Sequence, residues 1–166
     1  MQTLLATLRT TNHIVSLSLA DLTDEIARRR ARGDSGPSIA WTVGHLMDFR
    51  HTLLEYLGKP QPNVWGAAFR TTPATDGADY PGIDALRSEW QTMQTAVEQA
   101  FAAAAPDALN RPSGDVGVHG ESTMFDKATF LAWHEAYHAG VIGALRTAAG
   151  LAGPADLARA AARVAA

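Results

Sequence analysis

The chain contains no cysteine. That absence excludes disulfides, thiolate metal ligands and a cysteine nucleophile. Long apolar runs are missing too, since none approaches the roughly 20 residues that a membrane span requires. Nor is there an excess of positive charge. With 14 Lys and Arg against 17 Asp and Glu, the formal net charge is −3, which removes the electrostatic basis for holding nucleic acid. The opening Met1-Gln2-Thr3-Leu4-Leu5 lacks the charged and apolar regions of a secretory signal. These absences lead to the expectation of a soluble, cytoplasmic protein with neither membrane nor nucleic acid as partner. What is present, 166 residues of which 46% are hydrophobic and 19% charged, suits one domain over 1–166 with its own core.

The apolar residues recur at helical spacing. Leu4, Leu8, Val15, Leu19, Leu22 and Ile26 keep a period of three to four, with Asn12 on their face and His13 opposite. Thr23-Asp24-Glu25 reads as a cap with an acidic first turn, so a break is expected near Asp21. Arg28-Arg29-Arg30 and Arg32 form a basic run, read as a solvated face, that stops at Gly33-Asp34-Ser35-Gly36-Pro37. Ser38 caps a second helix to Leu57, closed by Gly58. Its stripe is Ile39, Val43, Leu46, Leu53 and Leu57, with His45 at the edge looking inward and His51 facing water with Asp48 and Glu55. Residues 59–82 are a long Pro-, Gly- and Thr-rich connection, read either as a lid or as a crossover covering one flank with its aromatics. Ile83, Leu86, Trp90, Met93, Val97 and Phe101 mark a structural third helix. A second connection, 106–122, holds His119, and Ser122 or Thr123 caps a fourth helix to Ala149. Pro154 opens a short, weakly amphipathic one. Four striped helices with no useful strand predict an all-α four-helix bundle.

One stretch carries chemistry: Trp133-His134-Glu135-Ala136-Tyr137-His138. Four residues apart, His134 and His138 stand one turn above each other, in the middle of the stripe made by Leu131, Val141, Ile142 and Leu145. Each polar group buried there without a partner would cost about 1–3 kcal/mol. A metal ion satisfies both, and His45 is the best third ligand from a facing helix. Three neutral nitrogens suit zinc, nickel, iron, cobalt or manganese and leave coordination positions open. Asn12 could support the site, although packing alone explains a buried Asn. His13, His51 and His119 are expected to have no site role. The segment also matches the H-E-x-x-H of zinc proteases. No strand-rich surroundings accompany it, Val141 stands where the extended motif needs glycine, no histidine follows His138, and Glu135 points off the stripe's centre.

Ser38-Ile39-Ala40-Trp41-Thr42-Val43-Gly44-His45-Leu46 resembles the second-helix signature of the DinB-like (YfiT-like) superfamily, and His134 to Gly140 with Leu145-Arg146 resembles its fourth-helix signature. The resemblance runs from Leu4 to about Leu151. It implies an antiparallel four-helix bundle in which His45, His134 and His138 bind a divalent metal. It further implies a thiol-dependent S-transferase or isomerase using a low-molecular-weight thiol such as bacillithiol or mycothiol, or a metal-dependent hydrolase. A homodimer and a link to stress are implied as well. Val141 stands where many members carry glutamine, which puts a glutamine-dependent substrate contact in doubt. The leading expectation is a zinc enzyme that activates a thiol toward a small electrophilic substrate. A hydrolase and a non-catalytic metal- or ligand-binding stress protein are the alternatives.

Overall fold

A computed structural model describes residues 1–33, 35–70, 79–114, 116–117 and 119–164. Residues 71–78, part of the connection read as lid or cover, lie outside the described residues. The elements in order are α1 (Gln2–Leu19), α2 (Asp24–Arg28), β1 (Arg30–Arg32), β2 (Ser35–Ser38), α3 (Ile39–Tyr56), α4 (Gly66–Phe69), α5 (Ile83–Ala103), α6 (Met124–Ala148) and α7 (Pro154–Val164). The predicted caps are in place. Thr23 accepts from the Ile26 amide and Ser38 from the Trp41 amide, while Thr123 and Asp126 form a reciprocal capping box at the start of α6. Gly58 and Gly150, with φ of 71° and 81°, end α3 and α6 in the left-handed conformation that glycine adopts without strain.

Helices α1, α3, α5 and α6 form a four-helix bundle: α1 lies between α5 and α6, and so does α3. Contacts between Arg9 and Glu98, and between Arg87 and the Leu19 carbonyl, run α1 antiparallel to α5. Those of Arg50 with Glu135 and of His45 with His134 cross α3 and α6. By contrast, Thr11 meets Glu135 and Ser18 meets Arg146, so α1 and α6 run in the same direction. The long crossover between α3 and α5 returns the chain to the start of α3, where Tyr80 packs on Phe69. The predicted stripes of α1, α3 and α5 are buried, from Leu4 and Leu8 through Leu46 and Leu53 to Leu86 and Trp90.

Four expectations are corrected. A short antiparallel hairpin, β1–β2, occupies the Arg-rich stretch where no strand was read; Arg30 Nε donates to the Gly36 carbonyl inside it. Within the 59–82 connection a further short helix, α4, lies against α3. Next, Asp48 and His51 do not face water, being 3% and 6% exposed. Helix α3 packs against α2, α4, α5 and α6, so its supposed outer side is covered as well. Last, Leu131 and Ile142 of the predicted α6 stripe are buried, but the buried face is centred on Ala128, Ala132, Glu135, Ala139 and Gly143, and the two histidines stand half-buried at its edge. Small residues let α6 approach its neighbours closely, and Gly143 seats Pro154 where a Cβ would come within 2.9 Å of the proline ring. His13 and Glu55 are exposed as expected.

Candidate metal centre

Helices α3 and α6 cross where His45 meets His134 and His138. His45 Nε2 lies 3.3 Å from His134 Nε2, which lies 3.1 Å from His138 Nε2. All three nitrogens fall within 4.8 Å of one another. Two ligands at 2.0–2.1 Å from a tetrahedral ion stand about 3.3 Å apart, so the spacing fits a single metal.

Protons alone satisfy this arrangement poorly. His45 Nδ1 donates to the Phe69 carbonyl at 2.7 Å, which leaves a lone pair on its Nε2 facing His134. His134 Nε2 offers either one N–H or one lone pair, so it can hydrogen-bond to only one of its two neighbours, and the other close contact is left without a hydrogen bond. The Nδ1 atoms of His134 and His138 are buried with no hydrogen-bond partner among the described residues. Burial is the main cause that holds all three imidazoles neutral. It lowers His45, and with the neighbouring imidazoles it takes His134 to about 4 and His138 to about 3. Neutral imidazole is the form that binds metal. The cluster can therefore hold an ion.

Aromatic rings enclose it. Trp41 stacks on His45 with centroids 4.5 Å apart, and Phe49 lies 4.2 Å from the His134 ring. Beyond Phe49 opens a cleft of about 370 Å³ between α3 and α6, walled by Phe49, Tyr56, Phe130 and His119. His119 is exposed on its loop, as expected, and stays outside the cluster while lining this cleft. Its loop folds back through hydrogen bonds between Ser113 and Ser122 and between Gly117 and Glu121, and its ring stacks on Phe130 at 4.8 Å. Nothing in the sequence signalled this, because the contact depends on how the 113–122 loop closes. Trp133 and Tyr137 stack on the exposed side of α6.

Glu135 takes no part in the cluster. It is 3% exposed and accepts from Arg50 Nη2 at 2.8 Å and Arg50 Nε at 2.9 Å, and also from the Thr11 hydroxyl. Arg50 in turn donates to Asn12 Oδ1 at 3.1 Å and lies over the Trp90 ring, and Asn12 donates to Gln94. The H-E-x-x-H glutamate thus reaches α1 and α3, as its position off the histidine stripe suggested. The side-chain hydrogen bonds of Asn12 lie within this network and none reaches the histidines among the described residues.

No helix among the described residues is long and apolar enough to cross a membrane. No curated protein matches the chain. The model of the DinB superfamily matches residues 7–142, a span that runs from α1 into the last turns of α6 and includes all three clustered histidines. The chain belongs to the DinB superfamily.

Proposed function

We propose that His45, His134 and His138 bind a divalent transition metal, zinc before nickel, iron, cobalt or manganese, and that the protein is an enzyme joining a low-molecular-weight thiol to a small electrophile. The observation that carries this reading is the convergence of three neutral Nε2 atoms at 3.1 and 3.3 Å. A metal on three imidazoles keeps open positions and lowers the pKa of a thiol or water that takes one. The surrounding residues favour the thiol. Water attack needs a base to accept its proton, and the two carboxylates nearest the ligands in sequence are engaged elsewhere: Glu135 by Arg50, and Asp48 by Asn63 and Arg70. A thiol is acidic enough to need no such base. Trp41, Phe49 and Phe130 keep water from one side of the cluster, and the adjoining cleft has room for the electrophile.

Elemental analysis of untagged protein tests the metal first. About one equivalent, lost in His45→Ala and in His134→Ala/His138→Ala, is expected. Folded protein that neither contains nor takes up zinc or nickel refutes the reading. With zinc bound, consumption of monochlorobimane that requires an added thiol and disappears in His138→Ala is expected. Ester or amide cleavage without thiol would make the protein a hydrolase, and no turnover of either kind would leave a binding protein.

A further inference from the structure

The structure assigns Asp48 as the residue that positions His45, acting through the short helix α4. This rests on the three-histidine reading above. Asp48 sits one turn after His45 on α3 and is 3% exposed, and among the described residues its carboxylate makes its hydrogen bonds with the crossover segment. Its Oδ1 accepts from Asn63 Nδ2 at 2.7 Å and from Arg70 Nη2 at 3.1 Å, and its Oδ2 accepts from Arg70 Nε at 3.1 Å. Asn63 precedes α4 and Arg70 directly follows it. One carboxylate therefore grips the strap on both sides.

What the strap delivers is the Phe69 carbonyl. It accepts the His45 Nδ1 proton at 2.7 Å and so fixes the tautomer whose free lone pair, on Nε2, faces the other two histidines. Two glycines make the approach possible. A Cβ on Gly44 would come within 2.5 Å of the Phe69 ring, and one on Gly66 within 2.8 Å of Asp48 Oδ1. Among the described residues His134 and His138 have no such partner on Nδ1, so His45 is the member of the cluster whose ring proton is held by a hydrogen bond from outside it. Among the described residues, both hydrogen-bond partners of the Asp48 carboxylate belong to the strap.

The test uses two readouts on the full chain. In metal-free protein at pH 8, long-range ¹H–¹⁵N spectra of the His45 ring should show one tautomer, protonated at Nδ1. In Asp48→Ala the ring should show both tautomers, and zinc affinity, measured by competition with a chromophoric chelator, should fall about 10- to 100-fold. Asp48→Asn, which keeps an acceptor oxygen, should lose less. Thr123→Ala, which removes the cap at the far end of α6, serves as a variant of lowered stability and should leave both readouts unchanged. If Asp48→Ala fails to fold, Arg70→Ala carries the test, because that side chain is 64% exposed and its loss does not open the core; a smaller shift in the same direction is expected. An unchanged tautomer and unchanged zinc affinity in the folded variants overturn the assignment. Since the tautomer is read without metal, it decides the role of Asp48 even if wild-type protein takes up no zinc, an outcome that would sink only the proposed function.

Discussion

Replacing Glu135 by alanine should cost the metal-free protein about 3–5 kcal/mol of folding free energy, the usual penalty for stranding one member of a buried ion pair. Arg50 and Glu135 have side chains only 3% and 4% exposed and share two hydrogen bonds. Without Glu135 the guanidinium would retain, among the described residues, the Asn12 oxygen and the Trp90 face, 3.7 Å from its centre. The ring is worth about 0.5–2 kcal/mol to a cation, which does not replace a carboxylate. Replacing both partners by apolar residues, as in Arg50→Met/Glu135→Leu, should cost less than the single change, since no charge is left unpaired. Urea unfolding of metal-free protein measures both, with the midpoint shifting at constant slope. A single-variant loss below about 1 kcal/mol would mean that water reaches the pair, and the structural role given to Glu135 would be wrong. The same experiment separates a buried strut from a protease base: removing a base abolishes activity while leaving stability nearly untouched.

Three further outcomes are expected. Burial holds His134 at about 4 and His138 at about 3, so between about pH 6.5 and those values the unfolded chain takes up protons that the native state refuses. Metal-free stability should then fall as pH drops from 7 to 5, the slope should flatten in His134→Ala/His138→Ala, and a flat wild-type profile would contradict the burial of the pair. Zinc at 1,000 times its dissociation constant should stabilise the protein by about 4 kcal/mol, read as a rise in Tm that EDTA reverses; no rise would remove the site. Arg146, fully buried, donates to the Ser18 and Ala152 carbonyls and to both oxygens of Asp21, so Arg146→Leu should cost about 2–4 kcal/mol in urea unfolding by leaving two carbonyls unpaired. A neutral effect would show that water replaces the guanidinium.

Local signals told most about helix boundaries. Caps at Thr23, Ser38 and Thr123 and stops at Gly58 and Gly150 are properties of a few adjacent residues, and they hold in the structure. The stripes of α1 and α5 were equally legible, because each of these helices buries one face and periodicity records one face. On α3 and α6 the same reasoning found only part of what is buried. Helix α3 is covered on nearly every side, which no stripe announces, and so Asp48 and His51 were placed in water. On α6 Leu131 and Ile142 of the predicted stripe are buried, but the centre of the buried face is made of Ala, Gly and the ion-paired Glu135 and Arg146, residues that a search for large apolar side chains passes over.

The sequence by itself determined that the chain is helical, where the long helices begin and end, and that His134 and His138 share a face one turn apart. All of these follow from backbone geometry acting over a few residues. Only the tertiary structure decided that His45 completes the cluster at 3.3 Å, that Glu135 is occupied by Arg50, and that Asp48 and α4 hold the Phe69 carbonyl against His45. Each of those contacts joins residues 15 or more positions apart. Their meeting depends on how helices cross and loops close, which the spacing within a single helix does not record.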